Sequence, residues 1–286
     1  MPTVDVPAAG RFVAAHARLV DRRRFAHLFE GAPAALVRAA VAAYRNPDGG
    51  FGALEPDIRS ASSQPLPTLY AFDLLHEARI DDPALATGAL DWLATVTNDD
   101  GGLAFVLPSV DEADRSPWLA PPDGSPSSLH ITSALAGAAH RLGLEHAWLD
   151  RATAYVWDRL PHLDMVAAYE VRYVVDFLDS VPDRDRAAAA LEALRPHVPP
   201  AGLPVRGGAE GETLSPLVVA PWPEHAGRGL FADAAIEAAL DELAAGQQPD
   251  GGWTFDWPPL NDAVLWEWRG AVSVTACRTL RAYGRL

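Results

Sequence analysis

Gln247-Gln248-Pro249-Asp250-Gly251-Gly252-Trp253 is the stretch that decides the fold, because a long apolar run over 232–245 stops there at two glycines and an aromatic residue. Two relatives lie upstream. Asn46-Pro47-Asp48-Gly49-Gly50-Phe51 follows a helical run over 34–44, and Asn98-Asp99-Asp100-Gly101-Gly102-Leu103 follows one over 83–96. A glycine just past a helix end supplies the left-handed backbone that closes the last turn, and Pro-Asp ahead of it sets a tight turn. The apolar residue that follows is placed to plug the gap between neighbouring helices. Each turn leads through a polar, proline-bearing loop into another helix, so the chain is a repeat.

Around these turns, 12–29 reads as a leading helix, ended by Gly31-Ala32-Pro33 before the helix at 34–44. A strongly apolar helix at 68–75 completes the first pair. The second pair is 83–96 and 128–142, separated by a long loop with Pro117-Trp118. The third is 148–160 and 165–178, with its glycines lost. The fourth holds 184–195 and a worn turn, Pro199-Pro200-Ala201-Gly202-Leu203, and the last holds the closing helix at 265–282. Gly49, Gly101, Gly202 and Gly251 recur with a period of about 50, the middle interval counting twice, which is a helical-hairpin array. The expectation is one all-α domain over 1–286, with a leading helix in 1–30 and repeats near 31–80, 81–142, 145–180, 183–225 and 230–286. Helices 68–75, 128–142 and 264–282 are apolar or small nearly all round and should form an inner layer. Those at 83–96 and 184–195 carry one charged face and should lie outside.

Composition narrows the function classes. The chain of 286 residues is 49% hydrophobic with a net charge of −15, which disfavours nucleic acid and anionic membrane surfaces as partners. All 23 basic residues are arginine, and the absence of lysine removes Schiff-base chemistry and the phosphate-loop lysine. Cys277, the sole cysteine, excludes an internal disulfide and any multi-cysteine zinc site. No apolar run reaches the ~20 residues of a membrane span, and residues 1–10 lack the pattern of a signal peptide. A cytoplasmic location is expected.

Gln247-x-x-x-Gly251-x-Trp253 resembles the glutamine-tryptophan repeat of the terpenoid cyclases, and Pro47-Asp48-Gly49-Gly50-Phe51 is similar to the repeats of protein prenyltransferase β subunits. The resemblance spans most of the chain through its repeats. It implies a single α/α toroid of about five to six helical hairpins, whose central cavity in such relatives binds isoprenoid chains. Two departures stand beside it. The Asp-x-Asp-Asp tetrad that protonates an alkene in class II cyclases is missing: Asp81-Asp82 and Asp99-Asp100 lack the leading Asp, and Asp183-x-Asp185 is followed by Arg186. Prenyltransferases bind zinc through Asp, Cys and His, with the Asp and Cys closely spaced, yet Cys277 has no Asp near it in sequence.

In this arrangement the loops 52–67, 103–127, 203–224 and 254–264 gather at one mouth. Glu55-Pro56-Asp57 is the nearest thing to an acid motif: two carboxyls held together out of water do not easily both ionise, so one can keep a proton and act as general acid. The competing reading is a cap or salt bridge that fixes the loop. Each loop or adjoining helix start carries an arginine, Arg59, Arg115, Arg206 or Arg269, which with helix N-termini suits a diphosphate or carboxylate headgroup. The alternative pairs each with a nearby carboxylate. Gln64 joins Arg59 as a candidate contact. Tyr169-Glu170-Val171-Arg172-Tyr173 puts charge into an inner helix, where it must be paired or line a cavity. Trp118, Trp222, Trp257, Trp266 and Trp268 are placed to steady a carbocation, stack on a sugar or fill the ring. His130 and His225 are candidate acid-base groups. No His-x-x-x-His or Gly-x-Ser-x-Gly occurs, so neither a metal nor another cofactor is expected.

The first expectation is therefore a divergent terpene-cyclase-like enzyme with Glu55 or Asp57 as proton donor and an apolar substrate, with or without an anionic headgroup. Its alternatives are a non-catalytic toroid that binds a lipophilic ligand or protein, and a carbohydrate-active enzyme with paired carboxylates.

Overall fold

The structure is a computed structural model that describes residues 3–165, 167–206 and 212–286. Its helices are α1 (Val6–His16), α2 (Leu19–Glu30), α3 (Ala34–Ala42), α4 (Pro65–Glu77), α5 (Pro83–Val96), α6 (Leu129–Arg141), α7 (Ala147–Arg159), α8 (Ala168–Ser180), α9 (Arg184–Leu194), α10 (Pro216–Val219), α11 (Asp233–Ala245) and α12 (Asp262–Ala282). Among the described residues, strands are limited to two antiparallel two-residue ladders, Leu103–Ala104 with Ser127–Ser128 and Leu203–Pro204 with Thr213–Leu214. Contacts gather into two units interleaved in sequence: Met1–Pro33, Met165–Ala168 and Ala188–Leu286 in one, Ala34–Asp164 and Tyr169–Ala187 in the other.

The three glycine turns have one hydrogen-bond pattern. Asn46, Asn98 and Gln248 donate their N–H to the carbonyls of Gly50, Gly102 and Gly252 at 2.8, 2.9 and 2.7 Å. The carboxylates of Asp48, Asp100 and Asp250 accept from the N–H of the same three glycines, each at 3.0 Å. Gly49, Gly101 and Gly251 have φ of 97°, 89° and 93°, the left-handed region that side chains enter only with strain. Each also presses on a neighbouring helix: a Cβ there would meet the carbonyl oxygen of Gly88 at 2.2 Å, Arg151 at 3.0 Å or Ala8 at 2.5 Å. The second glycine of each pair packs against an aromatic ring four residues further along that helix, Trp92, Tyr155 or Phe12. The seats are thus α5, α7 and α1, so the first helix of the chain receives the last turn as α5 and α7 receive theirs. At the worn turn Gly202 keeps a positive φ of 112° and the i,i+3 bond to Pro199, but Ala201 stands where the others have Asp.

One correction concerns the leading helix, expected as continuous over 12–29. It is two helices, α1 and α2, broken at Ala17 and Arg18, whose ψ values of 158° and 157° are extended. Neither Gly nor Pro marks this break. It is held by Asp21, fully buried, which accepts from Arg18 and Arg24 at 3.0 Å each, and by Arg22, which donates to the Ala17 carbonyl at 2.8 Å. Gly270 on α12 leaves room for Ala17, since a Cβ there would lie 2.4 Å from the Ala17 Cβ.

In the first unit α12 packs on α1, α2 and α11. Gln247 pins the start of α1: its Oε1 accepts from the Asp5 N–H at 2.8 Å, and its Nε2 donates to the carbonyls of Asp5 and Gly251 at 2.9 Å each. Gln247→Ala removes all three bonds at a half-buried site, a loss of roughly 1–2 kcal/mol. Faster amide hydrogen exchange at Ala8 and Ala9, with α12 unchanged, is the expected result.

In the second unit α4, α6 and α7 pack in succession. Ten consecutive or near-consecutive residues of α6 are buried, from Leu129 through Ala139, as an inner helix requires. Gly137 lets the α8 backbone come close, because a Cβ there would lie 2.9 Å from Phe177 Cα.

Three turn and cap carboxylates titrate below the ordinary Asp value of 3.8. For Asp250 the cause is the Arg269 guanidinium bonded to it; for Asp82 and Asp100 burial pulls upward and is outweighed by hydrogen bonds from Leu85 N–H and Arg38, and from Ser127 and Gly102 N–H. A depressed folded-state pKa contributes stability above the unfolded value that is lost as pH falls through the folded one. The melting temperature should therefore drop steeply below about pH 4, and Asp250→Asn should flatten that drop; a melting temperature that rises on acidification contradicts it.

Candidate functional site

Glu55 and Asp57 lie in the loop between α3 and α4 with only 7% and 4% of their surface exposed. Glu55 Oε2 accepts from the Asp57 N–H at 2.9 Å, and Asp57 Oδ1 accepts from the Ser116 hydroxyl at 2.7 Å. The same two loops are tied by Ser116 N–H to Asp57 O and Arg59 N–H to Asp114 O, both 3.0 Å. Between these ties Ile58 packs with Val106, Val110 and Leu119. Gln64, fully buried, completes the staple: its Oε1 accepts from the Leu107 N–H and its Nε2 donates to Ser109 Oγ, each at 2.8 Å. The acid pair is thus rigidly set, and Gln64 is engaged with the neighbouring loop. Arg115 bonds to Asp111 at 2.6 Å.

A second group comes together on the accessible faces of α6 and α8. The His130 ring stacks near Tyr173, Tyr169 and Phe105, with centroids 4.9, 5.8 and 4.6 Å away. The Arg172 guanidinium lies over the Tyr173 ring at 4.3 Å. These side chains keep accessible surface, yet burial, helped by the Arg172 charge, holds His130 down at about 3. Burial raises Tyr173, with Arg172 pulling the other way, and it stays a neutral phenol. Burial, then Asp164, raises Glu170. Burial opposes the charge on Arg172, but Tyr173, Asp176 and Asp73 outweigh it and raise the group.

This group contains members that the sequence reading missed. Asp73 of α4 pairs with Arg141 of α6 at 3.8 Å, and Asp176 of α8 lies 4.0 Å from Arg172. The available signal was a charged Asp73 inside the apolar run 68–75, the same signal that drew attention to Glu170 and Arg172. What these side chains offer together is an aromatic wall, a cation and carboxylates carried on α4, α6 and α8.

The other sequence candidates lie elsewhere. Arg269 bonds both oxygens of Asp250, at 2.8 and 2.9 Å, and donates to the Trp253 carbonyl at 3.1 Å, so it braces the last turn. Trp222 meets His225 edge-on at 4.8 Å. Trp257 packs with Phe255 and Trp268 at 4.5 and 5.3 Å. Trp118 is 46% exposed on its loop. Arg206 is exposed. Of the loop arginines expected to bind an anionic headgroup, Arg115 and Arg269 are each matched to a carboxylate, Asp111 and Asp250. Among the described residues no three His, Cys, Asp or Glu side chains converge as metal ligands would, and no helix is long and apolar enough to cross a membrane.

Among solved structures, one similar chain is a protein from Actinoplanes, 18% identical with a TM-score of 0.60 over 98% of this chain and 100% of that one. Another is a type II terpene cyclase from Scytonema in complex with geranylgeranyl dihydroxybenzoate, its substrate, 14% identical with a TM-score of 0.51 over 96% of this chain and 86% of that one. This chain shares its fold with a type II terpene cyclase. A second variant of the Scytonema enzyme with the same substrate matches at 13% identity and the same TM-score of 0.51. The all-α class expected from the repeats is therefore the observed one, and at these identities the likeness is one of fold. No family model matches the chain, and no curated protein matches it.

Proposed function

We propose that the chain is a terpene-cyclase-like enzyme that holds an isoprenoid or similarly apolar substrate against the aromatic face of α6 and α8 and starts its reaction with a proton from the Glu55–Asp57 pair. The observation that carries this reading is the neutral His130 ring, packed among Phe105, Tyr169 and Tyr173 while keeping accessible surface. Such a wall offers π faces to a developing cation without a competing positive ring. The two carboxyls, buried on one stapled loop, are the candidate proton donors. The fold shared with a type II terpene cyclase supports the same direction.

A second reading, a non-catalytic binder of a lipophilic ligand, is favoured by one observation: both acids already serve as hydrogen-bond acceptors that hold the loop. The sugar reading has no such support, because its carboxylates face each other across an open groove and these two are buried two residues apart. Incubating the protein with prenyl diphosphates and free polyprenols, with native mass spectrometry for binding and gas chromatography of the extract for products, separates the readings. Cyclised product supports the enzyme; a bound ligand with no product supports the carrier; neither binding nor product contradicts both.

A further inference from the structure

We propose that the groove on the solvent side of α7 binds a small organic cation, a guanidinium or alkylammonium group, at the face of Trp157. None of the residues that line it belongs to the aromatic wall of α6 and α8, so the inference is independent of the reading above.

The groove has a volume of about 720 Å³ and lies within the second unit. Asp150, Thr153, Ala154, Trp157 and Asp158 line it from α7, a spacing that gathers them on one helix face. Arg186, at the start of α9, closes it. The Trp157 ring is held from behind by Phe177, which meets it edge-on at 5.4 Å and 75°. Over its outer face lies the Arg186 guanidinium, 4.1 Å from the ring centroid. That guanidinium makes no hydrogen bond or ion pair among the described residues; only the backbone N–H of Arg186 is bonded, to Asp183. The chain thus shows a planar cation seated in this groove by the ring alone, and an exposed contact of that kind is weak enough to be exchanged.

The charge around the ring selects the ligand. The Asp150 carboxylate makes no hydrogen bond or ion pair among the described residues. Asp158 lies 3.7 Å from Arg159, which is shared with Asp100 at 3.5 Å. The other arginines close by in sequence are turned to backbone carbonyls, Arg151 to Asn98 and Arg184 to Leu178, Asp179 and Val181. Asp183 and Asp185 add two carboxylates at the start of α9. The lining therefore sets two carboxylates against the one guanidinium of Arg186, in a chain of net charge −15, which favours a cation over an anion. An aromatic floor selects an organic cation over a metal ion, because the ring attracts a guanidinium or ammonium through its π face. Among the described residues, moreover, no three metal-ligating side chains converge here.

The test titrates the full protein with n-butylguanidinium and with its uncharged isostere n-butylurea, following the indole N–H signals of the nine tryptophans by NMR. The Trp157 signal is assigned by its loss in Trp157→Phe. Butylguanidinium is expected to move that signal with a Kd of about 1 mM, from one ring contact and one charge-assisted hydrogen bond, and butylurea is expected to leave it in place. Arg186→Ala removes the resident cation and should tighten butylguanidinium by about two- to fivefold or more, the worth of an exposed cation–π contact. Asp150→Asn should weaken it by about tenfold. Both substituted side chains are exposed, so an unchanged melting temperature separates these effects from a folding defect. Butylurea bound as tightly as butylguanidinium, an Arg186→Ala variant that binds no better than wild type, or an Asp150→Asn variant of unchanged affinity overturns the inference.

Discussion

Gly49→Ala is expected to destabilise the protein by about 2–5 kcal/mol, combining about 1–2 kcal/mol for a side chain in left-handed backbone with about 1–3 kcal/mol for forced repacking. Both contributions are explicit in the turn. The φ of Gly49 is 97°, and an added Cβ would lie 2.2 Å from the Gly88 carbonyl oxygen on α5. That oxygen belongs to a helix backbone and has no rotamer by which to escape. Gly31 separates the two causes: its φ is 74°, but nothing lies within 4 Å of its Cβ position. Gly31→Ala should therefore cost only the backbone part, about 1–2 kcal/mol. Denaturant melts of the two variants test the seat of the turn on α5, and equal losses would contradict it.

The same turns explain what was legible in the sequence. A left-handed residue with no room for Cβ must be glycine, so Gly49, Gly101 and Gly251 announce themselves, as do the Asp carboxylates that cap the amide two residues on. Pro83 marks the start of α5 in the same way, whereas α4, expected from residue 68, begins three residues earlier at Pro65. The break between α1 and α2 left no such mark, because a buried Asp21 holds it by bonding Arg18 and Arg24, and a sequence does not show which of many aspartates is buried. Gln64 and Arg269 were visible as polar residues in conspicuous places. Their partners, Leu107 and Ser109 for one and Asp250 for the other, are 19 or more positions away, and that distance hid their bracing roles. Asp73 was passed over inside an apolar helix, although Arg172 in a comparable setting was not. The pairing of Asp73 with Arg141 joins α4 to α6, and only the fold shows it.

Asp57→Asn is expected to lower turnover by roughly 10²–10⁴-fold, the contribution typical of a positioned general acid, while leaving ligand binding within a few-fold of wild type. Glu55→Gln should act in the same direction if the proton is shared. Both substitutions are conservative in structure. The amide oxygen that replaces the Asp57 carboxylate still accepts from the Ser116 hydroxyl, and the one that replaces the Glu55 carboxylate still accepts from the backbone N–H two residues on, so the loop geometry of 2.7 and 2.9 Å is preserved. A loss of turnover with unchanged melting temperature assigns the acid. A loss of melting temperature with unchanged turnover assigns both residues to the staple and moves the chain to the carrier reading.

The most direct measurement is photoaffinity labelling with a diazirine-bearing geranylgeranyl probe, followed by peptide mapping. The account predicts adducts in α6 and α8, at or beside His130, Tyr169 and Tyr173, and in the segment carrying Phe105, with competition by unlabelled polyprenol. Adducts confined to exposed aromatics such as Trp118, or labelling that polyprenol does not compete, would contradict the claim that the aromatic face of α6 and α8 receives the substrate.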